Sequence, residues 1–324
     1  MGLVDLSHVV PLLACPRCRC GLMDGGKGFR CSSDSCDLDA PGSFPVIGRW
    51  PALVDFERSI LEPDDVLAPR GGASLVARRW SIERLPRRLQ PWWNPRNRVA
   101  ARNVETLLGL LGPAPLILVI GGGTIGNGVE AIYADRRTRV VAFDIYRTPL
   151  VQFIADAHQI PLADGSVDAV VVQAVLEHVL DPGQVVEEIH RVLRPDGLVY
   201  AETPFLQQVH AGPYDFTRYT SSGHRYLFRA FEEIAAGPVA GPGAQMLTSV
   251  DHLVRGLLRS ELAGKLARVV FFWLRYLDRL VPTAFAMDNA SAYYFLGRRS
   301  EGELSPSEIV GYYRGAQSSA HHSP

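Results

Sequence analysis

The chain has almost no excess of charge of either sign. Its 33 lysines and arginines against 34 aspartates and glutamates leave a net charge of −1 over 324 residues. That balance removes any global attraction to nucleic acid or to an anionic membrane. No apolar run reaches the roughly 18 residues that a bilayer span needs. Residues 1–14 lack a basic segment followed by an apolar core, so no secretory signal is expected and a cytoplasmic location is. Cysteine is missing from nearly the whole chain, since all five lie between Cys15 and Cys36. In a reducing compartment such clustering points to metal rather than disulfides. Material for a core is not lacking: 47% hydrophobic and 21% charged residues describe a soluble globular chain, long enough for one large and one small domain.

The cysteines form Cys15-Pro-Arg-Cys18-Arg-Cys20 and Cys31-Ser-Ser-Asp-Ser-Cys36. This spacing suits two knuckles gripping one tetrahedral Zn²⁺. Cys15, Cys18, Cys31 and Cys36 are the expected ligands, with Cys20 spare and able to replace Cys18. Zinc supplies stability that a short segment cannot draw from a core, and four thiolates leave no open position for catalysis. The alternative is a reduced, metal-free ribbon held by packing alone.

Farther on, an apolar β-branched run, residues 116–120, ends in Gly121-Gly122-Gly123-Thr124-Ile125-Gly126. It reads as a buried parallel strand, a tight turn, and a helix opening near Asn127. Glycine lets the backbone turn sharply and a ligand approach, and the helix start offers N–H groups to an anion. A second run ends at Asp144, where an acid can accept hydrogen bonds from ribose hydroxyls. Strand and helix patterns then alternate as in a doubly wound α/β sheet. Residues 167–173 read as a strand, Asp181-Pro182 as a helix start, and the stretch from Leu198 as the next strand. Gly121-x-Gly123-x-x-Gly126 with Asp144 also fits a dinucleotide fingerprint, which leaves an NAD-dependent oxidoreductase open.

Residues 59–103 read as a linker with some helix. Between Arg70 and Arg102 stand nine arginines against Glu83, with Trp80, Trp92 and Trp93 interleaved. That is either a surface for phosphate or RNA, or a solvated helical face whose tryptophans dock on the core. At the far end, Gly237-Pro238 and Gly241-Pro242-Gly243 read as a turn-rich break. Residues 250–281 read as a basic amphipathic helix, forming a lid or lying on a membrane. Residues 293–299 read as the final strand, and 301–324 as a flexible tail.

Two resemblances sharpen this. Leu12-Leu13-Ala-Cys-Pro-Arg-Cys, Phe29-Arg-Cys and Phe44-Pro-Val-Ile-Gly-Arg-Trp-Pro-Ala-Leu-Val resemble the zinc-ribbon family that activates, or is fused to, methyltransferases, over about residues 5–58. The glycine loop, Asp156-Ala157, Pro-Leu-x-Asp-Gly-Ser-Val-Asp-Ala-Val, Leu176-Glu177-His178-Val179 and Leu193-Arg-Pro-Asp-Gly-Leu-Val resemble class I S-adenosylmethionine-dependent methyltransferases of type 11, over about 116–203. The resemblance implies a mostly parallel seven-stranded sheet, with the last strand antiparallel at the sheet end. It implies a zinc ribbon at 1–58, the linker at 59–103 and a methyltransferase domain at 104–300, with a helical lid at about 250–281. It places Gly121 and Gly123 under the methionine moiety, with Gly122 beside them among the cofactor-binding residues, Asp144 on the ribose, and Asp156 and Ala157 at the adenine. Gln173 falls near the methionine end. His178, His210, Tyr214, Asp215 and His224 are the catalytic candidates, and Arg218 and Tyr219 belong to the same segment. Two departures stand out: Val119 where the family carries an acid, and Ile125 where it has its third glycine. The expected activity is methyl transfer to a small or lipid-like acceptor. An RNA acceptor, or a non-catalytic scaffold whose ribbon recruits a protein partner, are the alternatives.

Overall fold

A computed structural model describes residues 2–26, 28–38, 40, 43–67 and 96–318. The first segment builds a four-stranded antiparallel ribbon: β1 (Leu22–Asp24), β2 (Gly28–Cys31), β3 (Phe44–Ile47) and β4 (Trp50–Pro51). The large sheet contains β5 (Leu116–Ile120), β6 (Arg139–Asp144), β7 (Phe153–Ile154), β8 (Val167–Gln173), β9 (Leu193–Pro204), β10 (Phe231–Ala240) and β11 (Ala292–Arg299). Its spatial order is β10-β11-β9-β8-β5-β6-β7. Strands β5 to β9 pair in parallel, and β11 is antiparallel to both of its neighbours. Every residue of β5 is buried, as a central strand covered on both faces requires.

Helix Arg98–Leu110 begins at Asn97, whose side chain accepts from the Ala100 N–H at 2.9 Å. Helix Pro182–Val192 begins at Asp181, which accepts from the Gln184 N–H at 3.0 Å. Both caps satisfy N–H groups that a helix start leaves orphaned.

Among the described residues, the ribbon shares its core with the large sheet. Leu13, Cys15, Phe29, Cys31, Cys36 and Phe44 belong to the same buried cluster as Leu118, Phe143 and Phe153 of the sheet. It also extends the sheet edge: the Leu53 N–H donates to the Ile154 carbonyl at 2.8 Å, and the Val140 N–H to the Gly2 carbonyl at 2.7 Å. Arg19 pairs with Glu188 at 2.9 Å, fixing the cysteine turn against helix Pro182–Val192.

Several expectations change. The final strand does not close the sheet end; it lies between β10 and β9, and β10 is the edge. Gly237-Pro238 is no break, since both residues lie within β10 opposite Tyr294 and Tyr293. Proline is tolerated there because the strand is an edge and its register slips between Pro238 and Ala240. The long amphipathic stretch is not one helix. It folds as Pro242–Leu258, Glu261–Val270, a 3₁₀ stretch Phe272–Arg279 and a short helix Thr283–Asp288. Arg259, at φ +50°, ends the first helix, and Ser260 caps the second. Asp278 folds the stretch back, accepting from the N–H groups of Gly241, Gly243 and Ala244 at 3.2, 2.6 and 3.2 Å. The tail carries helix Pro306–Gly311, opened by a Ser305–Glu308 capping box, and Arg314 pairs with Glu233 at 3.0 Å. Residues 68–95, which hold six of the nine linker arginines and Trp80, Trp92 and Trp93, lie outside the described residues. No described helix is long and apolar enough to cross a membrane.

Replacing Asp278 with alanine orphans three N–H groups at once. The expected result is a loss of about 1–2 kcal/mol of local stability. Amide exchange should accelerate across 242–279 while protection in β5 and β8 is unchanged.

Candidate functional site

Parallel strands β5, β6 and β8 end together, and their C-terminal loops form one surface. Gly121 leaves β5 at φ +70°, a left-handed conformation that penalises any side chain. A Cβ on Gly121 would stand 2.3 Å from Val175 Cγ2, and one on Gly122 would stand 2.6 Å from Ala142 Cβ. On Gly123 it would stand 2.6 Å from both Asp144 Oδ2 and the Tyr146 hydroxyl. The loop is therefore closed against β6, and only a bare backbone fits.

Asp144 locks that closure. Its Oδ2 accepts from the Gly123 N–H at 2.8 Å and its Oδ1 from the Ile145 N–H at 2.7 Å. Burial pushes the carboxyl up to about 6, against the opposing hydrogen bonds from Gly123, Ile145 and the Tyr146 hydroxyl.

Asp156 and Ala157 are buried next to it. Asp156 accepts from Ser59 and from the His158 N–H at 2.9 Å, and it contacts His158 Nδ1 at 2.6 Å. Burial acts to raise its pKa, but His158 and Ser59 outweigh that and hold it below the usual carboxylate value. His158 in turn accepts from the Asp181 N–H through Nε2 at 3.1 Å. One carboxylate thus joins the segment leaving the ribbon to the loop after β7 and to the following helix start.

Beneath the glycine loop lies a second polar knot, whose key acid was not among the sequence candidates. Gln173 donates to Glu202 Oε2 at 2.7 Å and to the Asn127 carbonyl at 3.1 Å. Asn97 donates to both oxygens of Glu202 at 3.0 and 3.1 Å, and Tyr200 donates to Oε1. Gly126 packs on Gln173 so closely that a Cβ would stand 1.9 Å from its Oε1. Burial raises the Glu202 pKa, with Tyr200, Gln173 and Asn97 acting in the opposite direction. The only sequence signal for Glu202 is an acid that directly follows the apolar run Leu198–Ala201.

The structure brings four of the five catalytic candidates together. Ala174, at φ +55°, turns the chain after β8 and presents Glu177 and His178. The loop 205–218 folds over them, its Phe216 N–H donating to the Glu177 carbonyl at 2.8 Å. His178 Nδ1 meets the Tyr214 carbonyl at 2.7 Å. Asp215 accepts from the His210 N–H at 2.9 Å and forms a two-point pair with Arg218, whose Nη2 lies 2.9 Å from Oδ2. Glu177, absent from the candidate set, is 1% exposed, and its Oε1 lies 3.7 Å from Nε2 of both His178 and His210. Burial pushes its carboxyl up to about 7 and lowers the pKa of His178. His224 does not join the group. It is buried beside Phe228, shares a 2.8 Å hydrogen bond with Thr203, and burial lowers its pKa to about 3.

In the ribbon, the sulfurs of Cys15, Cys18, Cys31 and Cys36 all lie within 4.8 Å of one another. The Cys15–Cys36 and Cys18–Cys31 separations are 3.8 and 3.3 Å. Cys20 is exposed and outside the group. Burial raises Cys15 to about 11. It acts the same way on Cys18, where hydrogen bonds from the Cys20 backbone and the neighbouring thiols outweigh it and bring the value to about 7.

A family described as "Methyltransferase domain" matches residues 118–201. The chain is 36% identical over 143 residues to a demethylmenaquinone methyltransferase of Renibacterium salmoninarum, covering 41% of this chain and 56% of that protein. It is 32% identical over 162 residues to the Paenarthrobacter aurescens protein of the same name, covering 45% and 61%. It thus spans little more than half the length of these relatives. Among solved structures, a Burkholderia thailandensis 1,6-didemethyltoxoflavin-N1-methyltransferase gives a TM-score of 0.39 at 17% identity, covering 62% of this chain and 79% of that one.

Glu202→Gln turns one oxygen of a pure acceptor into a donor facing Tyr200, Asn97 and Gln173. Urea unfolding should register a loss of about 1–3 kcal/mol.

Proposed function

We propose that this chain, a class I S-adenosylmethionine-dependent methyltransferase by the domain it carries, transfers a methyl group to a small, apolar or lipid-like acceptor. The observation that carries the reading is the glycine turn closed on Asp144, with Gly123 donating to that carboxylate at 2.8 Å. The residues fit an adenosyl cofactor. A side chain at Gly123 would fill the cradle, and Asp144, which carries a hydrogen bond from the Tyr146 hydroxyl, would be the residue to hold the ribose hydroxyls. Gly121, Gly122 and Gly123 would run beneath the methionine moiety, Gln173 would stand near it, and Asp156 and Ala157 would flank the adenine. The Glu202 knot holds Gln173 in place against Gly126 of the loop. When bound, the sulfonium supplies an already activated methyl group, so the protein chiefly aligns the acceptor and excludes water.

The apolar acceptor follows from the segment 242–288. Leu253, Leu257, Leu262, Leu266, Val270 and Trp273 are all exposed there. Ser249, on its first helix, accepts from Gln208 at 3.1 Å, in the loop that carries His210. An apolar lid joined to the candidate catalytic loop suits a ring or chain better than a polar polymer. The relatives named for demethylmenaquinone make a quinone-like acceptor the matching class. In the ribbon, Cys15, Cys18, Cys31 and Cys36 would hold one structural Zn²⁺, whose charge offsets the cost of bringing buried thiolates together.

Calorimetric titration with S-adenosylmethionine should give micromolar binding, weakened at least tenfold by Asp144→Ala. Because burial pushes Asp144 up to about 6 and only its ionised form accepts two hydroxyls, affinity should fall below that pH, by roughly tenfold per unit. Asp144→Asn should flatten the profile. Failure of the wild-type folded protein to bind would overturn the cofactor reading. With labelled methyl groups, product should partition into organic solvent; labelled RNA instead would overturn the acceptor class.

After a wash with a mild chelator, metal analysis should find one tightly held Zn²⁺ per chain, that of the four-thiolate ribbon site. Since the ribbon shares the sheet's core, stripping the zinc should lower a single melting transition by at least about 5 °C. A separate early transition, leaving the sheet unaffected, would contradict the structural role.

A further inference from the structure

We propose that Glu177, His178 and His210 form a second metal site, one that takes a divalent transition-metal ion beside the candidate cofactor loop. Three features of the structure carry this. The ligand atoms converge: one atom from each residue lies within 4.8 Å of the others, and Glu177 Oε1 is 3.7 Å from both Nε2 atoms. That is too long for hydrogen bonds, and a few tenths of an ångström beyond the about 3–3.5 Å separating ligands on one ion with bonds near 2.1 Å.

The outer contacts are those of metal-binding histidines. His178 directs Nδ1 at the Tyr214 carbonyl at 2.7 Å, and His210 directs Nδ1 at the Gln208 carbonyl and Asp215, at 3.3 and 3.4 Å. A proton held at Nδ1 leaves Nε2 with its lone pair, facing the centre.

The charge is unbalanced. Glu177 is 1% exposed, and its Oε2 has no hydrogen-bond partner among the described residues. The nearby Arg218 is engaged by Asp215 through both terminal nitrogens. An ionised carboxylate without a cation is costly in such a place, and a divalent ion supplies what is missing. This donor set of two imidazoles and one carboxylate suits Mn²⁺, Fe²⁺, Co²⁺ or Zn²⁺, and unlike the ribbon it leaves open positions. The proposal gives those positions to an oxygen of the acceptor; that second clause rests on the methyl-transfer reading, whereas the site itself does not.

Equilibrium dialysis against Co²⁺ of the full-length chain carrying a single equivalent of Zn²⁺, held by the four ribbon cysteines, tests the site directly. One added equivalent of cobalt should bind, without a thiolate charge-transfer band and with the ribbon zinc retained. Glu177→Gln and His210→Ala should each weaken it at least tenfold while zinc content and far-ultraviolet dichroism stay unchanged. His210 lies at the exposed side, so its variant keeps the test valid if the buried Glu177 change impairs folding. No added equivalent, equal affinity in the His210 variant, or a thiolate band from cobalt in the ribbon would each overturn the proposal. If cobalt binds as expected but S-adenosylmethionine does not, the metal site stands and the methyl-transfer reading falls.

Discussion

A single closure organises this protein: the backbone leaving β5 turns left-handed at Gly121 and returns its Gly123 N–H to Asp144 at the end of β6. Parallel strands all deliver their loops to one edge of a sheet, so whatever is built there depends on how the central loop is held. Here it is held by a carboxylate from the neighbouring strand, in a space where no Cβ fits. The burial that makes Asp144 a rigid clasp also raises its pKa. The group that orders the loop is therefore the group whose charge a ligand would sense.

Around this clasp, buried acids recur as joints rather than as surface charge. Asp156 ties the ribbon's exit to the sheet and to a helix start through Ser59, His158 and Asp181. Glu202 draws Asn97, Gln173 and Tyr200 together under the loop. Each is supplied with donors, as burial demands. Glu177 is the contrast, with one oxygen unpartnered among the described residues. The ribbon follows the same economy: it completes the sheet edge and contributes to the common core, so its cysteines brace the larger body as well as its own turns.

The local elements were legible because local chemistry decides them. The run at 116–120, the glycines after it, Asp181-Pro182 and the knuckle spacing each carry a signal within a few residues, and each appears where expected. Gly237-Pro238 misled because a proline is a breaker only where an inner ladder needs its N–H, and edge status is a property of the sheet. The stretch 250–281 misled because amphipathic periodicity continues across the bend at Arg259, while the bend depends on Asp278 reaching back to Gly243. The Ser305–Glu308 box was readable but lay in a stretch whose composition suggested a tail.

The sequence by itself determined the strand and turn at the glycines, though the helix opens at Glu130 rather than near Asn127, together with the acid at the end of the second strand and four thiols at ligand spacing, because these rest on backbone conformation and short-range geometry. Only the tertiary structure decided that Glu202 lies under the loop and that Glu177, His178 and His210 converge while His224 turns into the core. It also decided that the final strand lies inside the sheet. The reason is physical: those relations join residues tens of positions apart, and the crossovers and burial that bring them together have no local periodicity to announce them.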